Sequence, residues 1–426
     1  MKRVYFLIFF LLISVFGFPQ LTEGNQILQG INLASVFFTD GNKGFTVGNN
    51  GISLMTENGG VTWIDSPNTT ASDLKSVFFT DVNTGYAVGN GVILKTTDSG
   101  HTWNIQSDNS SWNLTSVFFT DSLTGIAVGK ESDLGDAIAV RTYDGGETWY
   151  LTYKNSFNGS YFRLFCVYFK DSENGWALGY IINAEGSLGA LLSTTNGGEG
   201  WSSPDILGFN SLNSMCFPDP DTGYIVGGAG PTDNFTVYKT MDAGANWGSM
   251  HIEKYASLFS VFFTDVNHGI ATSDSGHIYR TTDGGQTWSL YSTGVMAMLN
   301  SVYFTDKNTG YIVGNCGIIL KTTDAGLDWT ILANCGTVGI TETSALKSVY
   351  TVYPNPAYDW LTISDTGNSL TDKTISIFNL TGQNLIQGRY RNQNPVELDV
   401  SSLSSGFYQV KIQTNEGTEF KKLIKK

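Results

Sequence analysis

The chain has 426 residues and a formal net charge of −14, with 49 glycines but only 9 prolines. This length is enough for two or three domains. Abundant glycine, together with 13% aromatic residues, favours short strands joined by tight turns, because glycine adopts positive φ without steric cost. The acidic excess lies in residues 4–346, and an acidic surface repels phosphate backbones. We therefore expect an all-β protein that does not bind nucleic acid.

The first 20 residues have the pattern of a secretory signal peptide. Lys2 and Arg3 precede an apolar run at 4–16, which is too short to span a membrane comfortably. The rest of the sequence has no apolar run long enough to do so. We therefore expect an exported mature protein without a transmembrane segment.

A hexapeptide related to SVFFTD recurs seven times. Its copies stand at 35–40, 76–81, 116–121, 166–171, 214–219, 260–265 and 301–306. Each copy is followed by a short apolar segment, a glycine-rich turn and another apolar segment, so one unit holds four strands, A to D. Strand A is apolar at consecutive positions, as expected of a strand covered on both faces. These units predict a seven-bladed β-propeller over 25–335.

A second motif, with the consensus T-x-D-x-G-x-T-W, occurs once per unit between strands C and D. Its central residues are Asn58, Asp98, Asp144, Asn196, Asp242, Asp283 and Asp324, and its tryptophans are Trp63, Trp103, Trp149, Trp201, Trp247, Trp288 and Trp329. We expect the central side chain to accept hydrogen bonds from the turn and the indole to be buried. A catalytic carboxylate is not needed seven times, so we interpret the motif as structural.

This motif resembles the Asp-box, or neuraminidase-type repeat, and the whole unit resembles the repeat of the photosystem II assembly-factor propellers. The resemblance covers about residues 30–335 and implies that the boxes lie away from the binding face. A sialidase needs a cluster of arginines for the carboxylate of its substrate. Arg163 is the only arginine of the propeller that does not belong to the repeat, so we do not expect sialidase activity.

Units 3, 4 and 5 are longer than the others. Their extra residues lie in the B–C loops at 129–140, 179–190 and 227–237, and in the D–A connection at 150–165. These connections emerge on one face of a propeller, opposite the C–D turns, and irregular loops on a regular scaffold are typical of binding sites. The expected ligand-binding residues are aromatic side chains of this face: Tyr153, Phe157, Tyr161, Tyr180 and Phe235. The alternative is that these rings only pack a long loop.

Three functions fit this pattern. The first is a binding propeller for a glycan or a protein partner. The second is a glycoside hydrolase, whose paired carboxylates would come from Glu131, Asp133, Asp136, Glu185, Asp205 or Asp233. The third is a structural surface protein without a discrete ligand. The histidines do not have the spacing of metal ligands, so we expect no metal site. For a binding propeller we also expect no cofactor and no catalytic residue.

The four cysteines fall into two groups. Cys316 and Cys335 lie in one segment and are candidates for a disulfide in an oxidising compartment. Cys166 and Cys216 stand inside apolar strands, where buried free thiols are expected.

The C-terminal part has a different composition. A small, polar stretch at 336–349 has the character of a linker, and 350–426 shows alternating strands that predict a small immunoglobulin-like β-sandwich. The motifs YPNP at 353–356, NLTGQ at 379–383 and SSLSSGFYQVKI at 401–412 resemble the C-terminal sorting domain of type IX secretion cargo from Bacteroidota. The resemblance implies that the type IX machinery is a partner and that the protein passes through the periplasm to the cell surface or the medium.

Overall fold

The computed structural model describes most of the chain after the predicted signal peptide. The described residues are 31–131, 135–156, 160–184, 186–208, 211–228, 235–252, 257–333, 350–365, 372–379, 384–414 and 418–426. Contacts divide the chain into two units, Met1–Gly339 and Ile340–Lys426. The predicted signal peptide and linker lie outside the described residues. No helix among the described residues is long and apolar enough to cross a membrane.

Within the described residues, the first unit consists of seven antiparallel four-stranded sheets. Blades 1 to 4 comprise β1 (Leu33–Phe38), β2 (Gly44–Gly48), β3 (Ser53–Thr56), β4 (Ile64–Asp65); β5 (Leu74–Phe79), β6 (Gly85–Gly89), β7 (Val92–Thr96), β8 (Asn104–Ser107); β9 (Trp112–Phe119), β10 (Gly125–Glu131), β11 (Ala137–Thr142), β12 (Tyr150–Asn155); and β13 (Tyr161–Phe169), β14 (Gly175–Asn183), β15 (Gly186–Thr194), β16 (Asp205–Ile206).

Blades 5 to 7 comprise β17 (Leu212–Cys216), β18 (Gly223–Gly227), β19 (Phe235–Thr240), β20 (Gly248–Ile252); β21 (Leu258–Phe263), β22 (Gly269–Ser273), β23 (His277–Thr281), β24 (Ser289–Ser292); and β25 (Leu299–Phe304), β26 (Gly310–Gly314), β27 (Ile319–Thr322), β28 (Thr330–Ala333). Single-turn 3-10 helices form the B–C turns of blades 1, 6 and 7, at Asn49–Gly51, Asp274–Gly276 and Asn315–Gly317. Each sheet follows the chain order A, B, C, D. The predicted seven-bladed propeller is confirmed.

The seven A strands meet around the axis through a belt of aromatic rings. The fifth residue of the repeat's strand A supplies the ring, and neighbouring blades place the ring centroids close together: Phe37–Phe78 5.4 Å, Phe78–Phe118 5.2 Å, Phe118–Tyr168 5.4 Å, Phe262–Tyr303 5.5 Å and Tyr303–Phe37 5.1 Å. Blade 5 has Cys216 at this position. Because Tyr303 of blade 7 contacts Phe37 of blade 1, the belt joins the two ends of the propeller.

A circle of hydrogen bonds reinforces this closure. The serine of each SVFF segment accepts a hydrogen bond from a backbone N–H of the following blade, as in Val77 N to Ser35 Oγ at 3.3 Å and Val302 N to Ser260 Oγ at 3.3 Å. The same bond runs from Val36 N to Ser301 Oγ at 3.3 Å and joins blade 1 to blade 7. Each blade keeps its own four strands, so side chains close the ring without exchange of a strand.

The invariant glycine at the start of strand B has a packing cause. Phe119 lies directly opposite Gly125 in the β9–β10 ladder, and a Cβ at Gly125 would stand 2.5 Å from the Phe119 ring. The ring therefore covers the glycine and stacks on Tyr86 of blade 2 at 3.9 Å. The same Phe–Gly pair recurs in the other blades, which explains why each strand B begins with glycine.

The second unit is a small β-sandwich, as predicted. It contains β29 (Tyr350–Tyr353), β30 (Trp360–Asp365), β31 (Lys373–Phe378), β32 (Asn384–Tyr390), β33 (Val396–Asp399), β34 (Gly406–Gln413) and β35 (Thr418–Lys425). One sheet has the order β29-β30-β33 and the other β32-β31-β34-β35. Leu361, Ile375, Val410 and Leu423 belong to the apolar core between the sheets.

Candidate functional site

The Asp-box turns are occupied by their own hydrogen bonds. In blade 6, Asp283 Oδ1 accepts from Thr287 N at 2.9 Å and from the Thr281 hydroxyl at 2.8 Å, while Oδ2 accepts from the Thr287 hydroxyl at 2.6 Å. These bonds hold the pKa of Asp283 below its usual value, with the Thr287 hydroxyl as the main cause. Asn58 makes equivalent contacts in blade 1, where its Nδ2 donates to Thr62 Oγ1 at 2.8 Å.

Each box also contacts the preceding blade. The carbonyl of Gly284 accepts hydrogen bonds from Lys239 Nζ at 3.0 Å and from the Tyr224 hydroxyl at 3.2 Å, both in blade 5. The Trp288 ring meets Phe263 edge-on at 6.0 Å and packs into the core between blades 5 and 6. The motif therefore stabilises the contact between neighbouring blades like a staple, and its carboxylate is engaged within its own turn.

Blade 1 uses the same staple to complete the ring. Gly59 O accepts from Lys321 Nζ at 2.6 Å and from the Tyr311 hydroxyl at 2.8 Å, both in blade 7. The lysines and arginines that end strand C thus belong to the scaffold.

The other end of the propeller is irregular in blades 3 and 4. Strand A of blade 4, β13, begins at Tyr161 and has nine residues, and β14 and β15 also have nine. In most other blades these strands have four to six residues. The sequence predicts a connection over 150–165, but only its middle lies between strands, because pairing extends along β12 and β13. Tyr161 and Tyr180 are therefore strand residues rather than loop residues.

A cluster of aromatic and cationic side chains lies at the end of the propeller to which the long strands of blade 4 extend. We define the Tyr161–Tyr180 cluster as Lys130, Tyr161, Arg163, Phe165 and Tyr180, all of which are partly exposed. Tyr180 is the centre of it: its ring lies 6.1 Å from that of Tyr161 and 5.3 Å from that of Phe165. Partial burial raises the pKa of Tyr180, so its hydroxyl keeps its proton at neutral pH.

A cation lies at each end of the row of three rings. Lys130 Nζ stands 5.2 Å from the centre of the Tyr161 ring, and the Arg163 guanidinium stands 4.9 Å from the centre of Phe165. The B–C segment of blade 3 supports the cluster from the side, because Phe162 N donates to Gly135 O at 3.0 Å. A Cβ at Gly135 would stand 2.4 Å from the Tyr161 ring, so glycine lets this segment approach the ring closely.

Of the remaining predicted binding residues, only Tyr153 has a described side chain, and it lies outside this cluster. Tyr153 lies on β12, is half-buried and packs against the core between blades 3 and 4, which fits the packing alternative for this ring. Phe157 lies outside the described residues. Phe235 is the first residue of β19 in blade 5.

Of the six candidate catalytic carboxylates, the structure describes Glu131, Asp136 and Asp205. Glu131 and Asp136 both contact Lys154 Nζ, at 2.5 Å and 3.7 Å, and Glu131 N donates to Asp136 O at 2.7 Å. Hydrogen bonding to Glu131 raises the pKa of Lys154, so the ammonium stays charged. Asp205 is exposed on the outermost strand of blade 4. Asp133, Glu185 and Asp233 lie outside the described residues.

The cysteines of the described residues are free thiols. Burial raises the pKa of Cys166 and of Cys216 to about 11, which keeps both thiols protonated. Cys316 occupies a left-handed turn position at φ 59° and forms no disulfide with another described cysteine. Its expected partner, Cys335, lies outside the described residues, so the pairing stays a prediction. No group of residues suited to a metal ion occurs in the part of the chain that the structure describes.

A cavity lies at the opposite end of the propeller, beside the A–B turns of blades 4 and 5. It has a volume of about 400 Å³ and is lined by Tyr168, Lys170, Asp171, Phe217, Asp219 and Pro220. Asp171 Oδ1 accepts from Asn174 N at 2.7 Å, and Asp219 Oδ1 accepts from Thr222 N at 2.6 Å. Both carboxylates occupy the aspartate position of the repeat and stabilise A–B turns, so the cavity is built mainly from scaffold residues.

Sequence reasoning missed part of the cluster. The sequence does not mark Lys130 or Phe165 as binding residues. The available signal was Arg163, the one arginine outside the repeat, since its strand partner is Tyr180.

The fold defines a seven-bladed propeller with Asp-box turns, followed in the chain by a small β-sandwich. Comparisons with known families agree with both assignments. Residues 351–426 match the model described as secretion system C-terminal sorting domain, and residues 24–107 and 239–334 match the photosynthesis system II assembly factor YCF48. The chain therefore carries a YCF48-type propeller repeat and a type IX sorting domain, and the latter implies export to the cell surface or the medium. No curated protein matches the chain by sequence.

Solved structures share the propeller fold at low sequence identity. YCF48 bound to a D1 peptide is 20% identical with a TM-score of 0.56, covering 69% of this chain and 94% of that one. A GH74 xyloglucanase from Xanthomonas campestris is 11% identical with a TM-score of 0.56, covering 79% and 58%. PorZ, a surface component of the type IX secretion system of Porphyromonas gingivalis, is 12% identical with a TM-score of 0.50, covering 90% and 58%. At these identities the likeness concerns the fold alone.

Proposed function

We propose that this secreted propeller is a binding protein that recognises a glycan or a protein partner through the B–C face of blades 3–5. The Tyr161–Tyr180 cluster is the observation that carries the proposal. Three partly exposed rings in mutual contact present apolar surface and hydroxyl groups together, which suits the face of a sugar ring or an apolar patch of a protein. Phe157 and Phe235 belong to the same face by their place in the repeat and are proposed to extend it.

Several properties of this face support binding rather than a role in packing. The rings lie on β13 and β14, which pair from Tyr161 opposite Ile182 to Phe169 opposite Gly175 with a register shift at Phe165, so strand pairing orders the cluster before any ligand binds. The cluster also interrupts the repeat, whereas the Asp-boxes and the serine circle follow it. Residues that recur in every blade maintain the scaffold, whereas a specific binding site is expected among residues that differ from blade to blade.

Hydrolysis has weaker support. Glu131 and Asp136 share one lysine, and a general acid needs a carboxyl group with a raised pKa rather than an adjacent ammonium. The xyloglucanase comparison concerns the fold.

The test is a binding experiment on the mature full-length chain. Arrays of glycans, polysaccharides and peptides are probed with the wild type and with the double variant Tyr161→Ala/Tyr180→Ala. We expect the variant to lose at least about tenfold in affinity, since truncation of central aromatic residues commonly costs more than about 1.4 kcal/mol. Thermal unfolding of both proteins separates lost binding from lost folding.

The chain offers a matched control. Tyr143 and Tyr150 are exposed, their ring centroids are 6.3 Å apart, and Arg141 lies 4.3 Å over Tyr143. The variant Tyr143→Ala/Tyr150→Ala removes a similar pair outside the proposed site and is expected to bind as the wild type does. Equal binding by wild type and Tyr161→Ala/Tyr180→Ala contradicts the proposal. Absence of binding to every probe favours the structural surface protein.

A further inference from the structure

The cations of the propeller differ in what they contact. Most are engaged: Lys43, Lys75, Lys95, Arg141 and Lys154 form ion pairs, and Lys239, Arg280 and Lys321 bind backbone carbonyls of neighbouring blades. Among the described residues of the propeller, Lys130, Arg163, Lys170 and Lys307 make neither kind of contact. Lys170 and Lys307 follow strand A and lie at the Asp-box end.

The two remaining cations both border the Tyr161–Tyr180 cluster. Lys130 lies over Tyr161 and Arg163 lies over Phe165. Arg163 Nε is buried and has no hydrogen-bond partner in the described part of the chain, while the guanidinium also hydrogen-bonds with the Tyr180 hydroxyl. Two cations that form no ion pair among the described residues therefore stand at the two ends of one row of rings, although carboxylates are abundant in this acidic propeller. A buried guanidinium nitrogen without an acceptor is costly unless a ligand supplies one.

From this arrangement we infer that the site binds an acidic polysaccharide, with uronic acid residues as the recognised units. This inference rests on the proposed binding function and specifies its ligand class. The C–H face of a pyranose ring stacks on Tyr161 or Tyr180, and its carboxylate receives charge-assisted hydrogen bonds from Arg163. A second carboxylate along the polymer pairs with Lys130 at the other end of the row of rings.

The contacts favour a sugar over an acidic peptide. Peptide recognition by a β protein commonly adds a strand to an open sheet edge through backbone hydrogen bonds, whereas the features of this cluster are side chains, three rings and two cations. Three contiguous rings with cations at both ends instead match a repeating ligand that alternates flat apolar faces and carboxylates.

The experiment measures affinity of the full mature chain for polygalacturonate and alginate, with mannan as an uncharged polysaccharide and poly-glutamate as an acidic peptide. Arg163→Gln and Lys130→Gln are each expected to weaken polygalacturonate or alginate binding about tenfold. Raising the salt concentration weakens wild-type binding, because salt screens exposed charges. Lys307→Gln makes the same change in net charge at the other end and is expected to bind normally. Thermal unfolding checks that Arg163→Gln folds, and Lys130→Gln tests the same charge effect independently.

Each contrary outcome has a distinct meaning. Mannan binding as tight as that of the acidic polymers, still lowered by Tyr161→Ala/Tyr180→Ala, overturns the acidic specificity and leaves the binding function intact. Poly-glutamate binding of equal strength that depends on Arg163 overturns the assignment to sugars. Failure of both acidic polysaccharides to bind overturns the inference, and the array of the preceding section then decides separately on the binding function.

Discussion

Replacing Asp283 by alanine tests the structural role of the Asp-box. The substitution removes three hydrogen bonds, from Thr287 N, the Thr287 hydroxyl and the Thr281 hydroxyl. The two hydroxyls can turn to water or to other acceptors, whereas the turn N–H loses a preorganised partner. At about 0.5–1.5 kcal/mol per bond, reduced for groups that water can reach, we expect a loss of about 1–2 kcal/mol in the free energy of unfolding.

The matched variant is Asp283→Asn. Asn58 already fills this position in blade 1, where Oδ1 accepts from Thr62 N at 2.9 Å and Nδ2 donates to Thr62 Oγ1 at 2.8 Å. Asparagine should therefore restore all three contacts and cost well under about 1 kcal/mol. Alanine has no side-chain acceptor, so the difference between the two variants isolates the hydrogen bonds of the turn.

Calorimetry and denaturant unfolding measure both variants. In a propeller of this size a loss of about 1–2 kcal/mol lowers the Tm by only about 2–3 °C, so Asp283→Asn serves as the reference for the small shift. Binding below the new Tm should be unchanged. Loss of binding by a folded Asp283→Ala protein, with stability intact, refutes the interpretation of the box as a staple.

Three further predictions concern acid stability, packing and export. Hydrogen bonds from the Thr148 hydroxyl and amide lower the pKa of Asp144 to about 2. The stability that ionised Asp144 contributes is therefore present above about pH 4 and is lost as the pH falls toward 2. Thermal unfolding between pH 5 and pH 2.5 should therefore show a smaller decline for Asp144→Asn, and an unchanged decline contradicts this. Gly125→Ala should displace the Phe119 ring and cost on the order of 1–3 kcal/mol, whereas equal stability would show that the ring adapts. Deletion of 350–426 should leave the propeller in the periplasm, as measured by cell fractionation, and normal delivery to the surface contradicts the assigned route.

The repeat made the propeller predictable from sequence. Seven copies of the SVFFTD hexapeptide and seven boxes fix the blade number, the strand order and the C–D position of each turn. The hydrogen bonds within each box were also predictable. Both aspartate and asparagine occur at its central position, and both side chains can accept a hydrogen bond from a turn N–H. The inter-blade bonds of Ser35 and its equivalents were not predicted, because a small polar residue in a buried strand does not by itself indicate which neighbour it contacts.

The site was harder to predict because it departs from the repeat. Aromatic density in 150–165 located the face, but it did not show that β12 and β13 extend into this segment. That extension places Tyr153 against the core and brings Tyr161 to Tyr180. The pairing of Arg163 with Tyr180 depends on strand register beyond the repeat, and no copy of the repeat specifies it.

The most direct measurement of the central claim is hydrogen exchange with and without the array ligand of highest affinity. We expect slower exchange in peptides from 161–165 and 179–183, and no change in the Asp-box turns, because ligand contacts the irregular end and leaves the staples as they are. Protection centred on the cavity beside Lys170 and Asp219, or on the boxes themselves, would place recognition at the opposite end of the propeller and contradict the account.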